Sequence, residues 1–275
     1  MRGLPISTRG LVHIYHAEEH DVAALSGVDL DVAGGEMIGL LGPSGSGKST
    51  LISLLAGVVR PSAGKVFVGD TEVSAAPPRD LDRLRATEIG LMLQGASRNL
   101  LPDTTPIDNV RFAQHPARRA GRELTDPRVL LAEVGLAEHA DRPLSELTPG
   151  GLQLAAVAVA ISTRPGLLLC DEPTSQLDHA ARDQVLAALT QVNRTYGTTV
   201  VLVTHDPDVA RVLPRTVTIR DGRIGGEGRS GEEYAVVTAD GFLPLPGHAR
   251  DVLPPGTLVR FHEVGDHFEL RLERP

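Results

Sequence analysis

The chain of 275 residues predicts an α/β fold built on a parallel sheet with crossover helices. Two observations carry that prediction. Leu167-Leu168-Leu169-Cys170 and Thr199-Val200-Val201-Leu202-Val203 are continuous apolar runs of strand length, as a sheet buried on both faces requires. Gly42-Pro43-Ser44-Gly45-Ser46-Gly47-Lys48-Ser49 fits G-x-x-x-x-G-K-[ST], a glycine-rich phosphate-binding loop set between a strand and a helix.

In chain order, Leu11–Tyr15, Val28–Val32 and Lys65–Val68 alternate or are β-branched, so residues 8 to 75 read as β-rich around that loop. Gly34-Gly35 and Pro61-Ser62-Ala63-Gly64 read as turns. Met37–Leu41 is the strand entering the loop and Thr50–Ala56 the helix leaving it. Helical spacing dominates from about 95 to 148. There Asp126 is an N-cap, Pro127 the first helical residue and Arg128–Val134 the body. Leu152–Ile161 is apolar almost all round and reads as a buried helix. Ala180–Tyr196 is the helix between the two apolar strands. Gly225–Gly231 is a linker by composition, with a boundary near residue 230. The expected division is a domain of residues 1–230, with a helical subdomain over about 95–160, and a β-rich module of 231–275.

Hydrophobic content of 41% and charged content of 23% are those of a globular protein. A net charge of −8 disfavours broad nucleic-acid binding. Cys170 is the only cysteine, which fits a reducing compartment. No apolar run approaches the roughly 18 residues of a membrane span. The N-terminal residues lack a signal-peptide core. Lys48 and Lys65 are the only lysines, so Lys48 in the loop is hard to explain by composition.

The chemistry follows from the loop. Glycines let successive N–H groups converge on one anion, and the helix start adds its positive dipole end. Gly42, Ser44, Gly45, Ser46, Gly47, Lys48, Ser49 and Thr50 are the expected phosphate-binding set. Lys48 reaches the β- and γ-phosphates, and the Ser49 hydroxyl ligates Mg²⁺. A second half of the site follows the strand Leu167–Cys170. Asp171 holds Mg²⁺ through water, and Glu172 beside it acts as general base on the attacking water. The expected cofactors are ATP and Mg²⁺.

Over residues 8 to 228 the chain resembles the nucleotide-binding subunit of ATP-binding cassette (ABC) transporters, with motifs in that family's order. Asp171-Glu172-Pro173-Thr174 resembles the Walker B segment, and Ser175-Gln176-Leu177-Asp178 the D-loop. Gln94 resembles the Q-loop glutamine, His205 the switch histidine, and Tyr15 the aromatic that stacks on adenine. The resemblance implies a P-loop NTPase of ABC type: parallel core sheet, antiparallel β subdomain and helical subdomain. Gln94 would ligate Mg²⁺ and sense the attacking water. His205 would bond the γ-phosphate, and Asp178 would lie at the nucleotide. Leu84–Gln94, Asn99–Pro102 and Asn109-Val110 have the flavour of the lipoprotein-release, macrolide-export and cell-division type.

The resemblance also implies head-to-tail dimers in which a Leu-Ser-Gly-Gly-Gln signature faces the other subunit's ATP. Here that stretch is Leu147-Thr148-Pro149-Gly150-Gly151. Thr148 keeps a hydroxyl and Gly150 the close backbone approach, while Gly151 stands where the signature has Gln. Pro149 removes an N–H donor. Leu154 and Val159 stand where the family usually has arginines. One reading is a tolerated variant; another is a weak signature working beside a partner that supplies a better one.

Residues 234–272 resemble an AbrB-like swapped-hairpin module. Gly241-Phe242-Leu243-Pro244-Leu245-Pro246 is its Gly-x-Leu-x-Leu-Pro segment and Pro255-Gly256 its turn. Residues 231–275 carry four Arg against eight acids, a net −4, which disfavours DNA and favours a dimerisation or interaction role. The partners implied are transmembrane permease subunits and a second ATPase subunit, in a homo- or heterodimer. The implied location is cytoplasmic, on the inner face of the cell membrane through the permease. A regulatory nucleotide-binding switch protein is the alternative.

Overall fold

The computed structural model describes residues 3–16, 21–229, 232–237 and 257–272, together with 241, 243, 245, 249, 252 and 253. Strands β1 (Ile6–His16) and β2 (Asp21–Val32) pair antiparallel, and β4 (Ala63–Val68) and β5 (Thr71–Glu72) complete a four-stranded sheet in the order β2-β1-β4-β5. Behind it lies a seven-stranded sheet. Its centre is β3 (Met37–Leu41), β8 (Thr199–Val203), β7 (Leu167–Asp171) and β6 (Ile89–Met92), all parallel. Its other flank is β9 (Arg215–Arg220), parallel to β3, then antiparallel β10 (Arg223–Arg229) and β11 (Glu232–Ala235).

The apolar strands are buried on both faces, and alternate residues serve different cores. Ile38, Leu40, Leu167, Leu169, Val201 and Val203 join the antiparallel sheet and helix α1 (Lys48–Leu55). Met37, Leu168, Cys170, Val200 and Leu202 join the helices of the opposite layer. Those helices are α3 (Pro106–Arg119), α4 (Pro127–Glu133), α5 (Pro149–Ala160) and α6 (His179–Tyr196). The Asp126 carboxylate caps α4 by accepting from Arg128 N–H. Helix α5 is buried on nearly every side, and Leu154 is 6% exposed.

Two helices lie outside the predicted set: α2 (Pro78–Thr87) and α7 (Pro207–Val212). The linker expected over Gly225–Gly231 is corrected. Residues 223–229 form β10, hydrogen-bonded to β9 on one side and β11 on the other. A Cβ at Gly228 would lie 2.4 Å from Thr216 Oγ1, so close strand packing accounts for glycine there. β11 carries the main sheet across the expected boundary near residue 230.

β12 (Val259–Val264) and β13 (His267–Leu272) form a separate two-stranded hairpin. In the expected Gly-x-Leu-x-Leu-Pro segment, Phe242, Pro244 and Pro246 lie outside the described residues, as does the Pro255-Gly256 turn. No helix among the described residues is long and apolar enough to cross a membrane.

Candidate functional site

The phosphate-binding loop connects the C-terminal end of β3 to α1. Gly42, Gly45 and Gly47 have φ of 142°, 78° and 101°, values open to glycine and rare for other residues. At Gly42 and Gly47 space is also limiting. A Cβ would meet Ile219 O at 2.1 Å in the first case and Ala24 O at 2.3 Å in the second. The loop is thus wedged between β9 and β2 in a fixed curl, with Ser46 and Lys48 buried beneath it. The Lys48 ammonium donates to the carbonyls of Gly42 at 2.8 Å and Pro43 at 2.6 Å. Burial pushes the Lys48 pKa down, while Glu172 and Asp171 act in the opposite sense.

Asp171 closes β7 two strands from β3, with β8 between them. It is 8% exposed, and burial pushes its pKa up while a hydrogen bond from Ser49 opposes the rise. Ser49, expected to share a metal with Asp171, is thus near enough to act on its carboxylate. Loop, hydroxyl and carboxylate together offer N–H groups and a cation to phosphate and oxygens to a hard cation such as Mg²⁺. The chain fits both groups.

Glu172 adopts φ 47°, a left-handed conformation that a glutamate holds only when its surroundings impose it. Its N–H donates to Val203 O at 3.1 Å, tying it to β8. Its carboxylate lies between two side chains predicted for the site. Gln94 Nε2 donates to Oε2 at 3.1 Å, and His205 Nδ1 lies 3.0 Å from Oε1. Gln94 follows β6 and His205 follows β8, so three strand ends converge on one carboxylate. The Asn99 side chain braces the Gln94 turn from inside, bonding Leu93 N–H, Leu93 O and Gly95 O.

Tyr15, at the end of β1, is half exposed, and its hydroxyl is 3.3 Å from Thr50 Oγ1 at the start of α1. His13 meets it edge to face, with centroids 4.6 Å apart. Thr148 caps α5 by accepting from Gly151 N–H at 3.1 Å. Pro149 is the first helical residue, where an N–H has no intrahelical partner in any case. Gly150 lies against α6, where a Cβ would be 2.8 Å from that of Ala181. The Asp178 carboxylate caps α6 through Ala181 N–H at 2.8 Å. The structure thus brings Gln94, Asp171, Glu172, His205 and the loop together, and sets the Thr148 turn and Asp178 on the adjoining helix starts. Two further side chains reach this region from a distance: Gln153 bonds the Pro173 carbonyl, and Arg182 faces Asp206, next to His205.

The ABC transporter family model matches residues 25–175. The lipoprotein-releasing system ATP-binding protein LolD 1 of Caulobacter vibrioides is 38% identical over 80% of this chain and 94% of its own length. The chain belongs to the ABC transporter family. It is an ATP-binding subunit of the kind that hydrolyses ATP to power transport. The macrolide export ATP-binding/permease protein MacB of Rhodopirellula baltica is 38% identical over 82% of this chain, which spans 33% of that longer protein. Among solved structures, a dimeric post-hydrolysis ATP-binding cassette bound to ADP and Pi superposes with a TM-score of 0.73. It is 29% identical over 82% of this chain and 98% of that one.

Proposed function

We propose that two copies of the cassette, or one copy and a related subunit, pair head to tail around two MgATP and drive separate transmembrane permease subunits. Each phosphate loop then faces the Thr148–Gly151 turn of the other subunit. The subgroup is the lipoprotein-release and macrolide-export type, in line with the two named relatives. The location is the inner face of the cell membrane, through the permease.

The observation that carries this reading is the Glu172 carboxylate, held between Gln94 and His205 above a loop that presents Lys48 and Ser49. Glu172 is the general base, and His205 orients it and bonds the γ-phosphate. Gln94 donates to Glu172 through its amide nitrogen, which leaves its carbonyl oxygen to join Ser49 and Asp171 as ligands of Mg²⁺. Bound by these residues, Mg²⁺ would supply charge neutralisation to the phosphates. The Lys48 ammonium, anchored by the Gly42 and Pro43 carbonyls, is the cation the loop offers to phosphate. Tyr15 offers its ring to the base. The test is Glu172→Gln in the full-length chain: MgATP binds and turnover is abolished. Wild-type turnover in that variant removes the general-base assignment.

The hairpin β12–β13 supports the AbrB-like reading of residues 231–275 as an interaction module. Its register puts Val259, Phe261, Phe268, Leu270 and Leu272 on one face, and the last four are exposed. An isolated two-stranded hairpin is marginal in water, which fits pairing with another chain. Ending the chain at residue 237 is expected to leave ATP binding intact and lower the oligomeric mass measured by light scattering; an unchanged mass removes the module's pairing role.

A further inference from the structure

Helix α5 is apolar on nearly every side, yet it carries a buried amide. Gln153 is 4% exposed, between Leu152 and Leu154. A buried amide is costly without a partner, and the partner here is specific. Gln153 Nε2 donates to the carbonyl of Pro173 at 2.6 Å, across twenty positions of sequence. Pro173 is the residue after Glu172. As a proline it has no N–H, so its carbonyl is the one backbone polar group by which that position can be held.

The Glu172 turn needs such holding, because φ of 47° is unfavourable for glutamate. Two of its restraints are backbone bonds, Glu172 N–H to Val203 O at 3.1 Å and Ser175 N–H to Glu172 O at 3.2 Å. The Gln153 bond differs in kind, since it enters from another helix. That helix is also the one whose first turn, Thr148–Gly151, ends two residues before Gln153.

We infer that Gln153 is a positioning residue for Glu172. Its amide fixes the Pro173 peptide and so the direction of the preceding carboxylate. It also ties that carboxylate to the helix whose start faces the neighbouring subunit. A displacement of α5 when its first turn engages a partner is passed through one hydrogen bond to the base of the same subunit. The inference rests on the reading of Glu172 as general base.

Gln153→Met tests it. Methionine matches glutamine in length, forms helix well and suits the apolar surroundings, but has no donor. In the full-length protein kcat falls about tenfold, the scale of one short hydrogen bond to a buried carbonyl. KM for ATP stays within about twofold, as does the Kd for MgATP measured on a Glu172→Gln background. Amide exchange quickens at Ser175 and is unchanged in the phosphate loop. An unchanged kcat overturns the inference, and so does nucleotide binding lost in parallel with turnover. Glu172→Gln alone separates the two levels. If that variant still turns over, the base assignment fails. If it is inactive while Gln153→Met turns over normally, only the positioning role fails.

Discussion

His205 Nδ1 lies 3.0 Å from Glu172 Oε1, although the two residues close different strands of the sheet. The histidine side chain is 67% exposed, so little of the fold depends on it. His205→Ala is therefore expected to lower kcat by about two orders of magnitude, because it removes the group proposed to orient the general base, itself worth about 10²–10⁴-fold. Its thermal midpoint should match the parent's. Steady-state ATPase assays with a parallel melting curve check this, and a large fall in the midpoint would make the role structural.

Lys48 spends its ammonium hydrogens on the Gly42 and Pro43 carbonyls, out of water. Lys48→Met removes a buried charge along with the group assigned to phosphate. Charge-assisted hydrogen bonds contribute about 1.5–3 kcal/mol, so the Kd for ATP is expected to rise by about 10- to 150-fold. Titration calorimetry with MgATP measures it, and a Kd equal to the parent's refutes the assignment.

Arg164, Glu133 and Tyr196 form a clamp remote from the phosphates. Arg164 is bidentate to Glu133 at 2.7 and 2.8 Å, Tyr196 donates to the same carboxylate at 2.7 Å, and the guanidinium sits 3.7 Å over the Tyr196 ring. Burial alone would raise the Glu133 pKa, but the bonds from Arg164 and Tyr196 prevail and hold it below the usual glutamate range. A depressed carboxylate stabilises the fold above its unfolded-state pKa and loses that contribution as pH falls through its folded-state value. Glu133→Gln should be less stable than the parent at neutral pH, with the gap closing in acid below the ordinary glutamate pKa. Urea melts at a series of pH values show the convergence; a gap that widens in acid contradicts the clamp.

What the sequence disclosed was what local chemistry decides. The phosphate loop is set by its glycines, and β7 and β8 by burial on both faces, so both could be read from residues side by side. Asp126 and Asp178 lie directly before the helices they cap. Helix α2 was not predicted; only Leu81 and Thr87 are buried, with Leu84 half-buried beside them, in a segment otherwise dominated by charged residues. Gly225–Arg229 was misleading because glycine content speaks of chain freedom, whereas a ladder on both sides and the close approach of Thr216 at Gly228 decide the conformation. Gln153 was hidden for a different reason: its acceptor is a distant backbone carbonyl, and no spacing in the sequence points to one. Its only local sign was a lone amide in an apolar run.

Pro149 sets a trade between helix stability and the contact expected across the dimer. At the first position of α5 its fixed φ suits the helix, and the N–H it lacks would have had no partner within the helix. The loss falls outward, toward whatever the Thr148 turn faces. Pro149→Gly restores that donor and loosens the unfolded chain. The fold should lose about 0.5–1 kcal/mol, read as a lower denaturant midpoint. On the head-to-tail pairing proposed above, turnover of the assembled dimer should rise, because the restored N–H would be one more donor toward the other subunit's ATP. The two effects have opposite signs, so one preparation measured both ways is decisive. Lower stability with unchanged or lower turnover would show that the proline costs this signature nothing in catalysis.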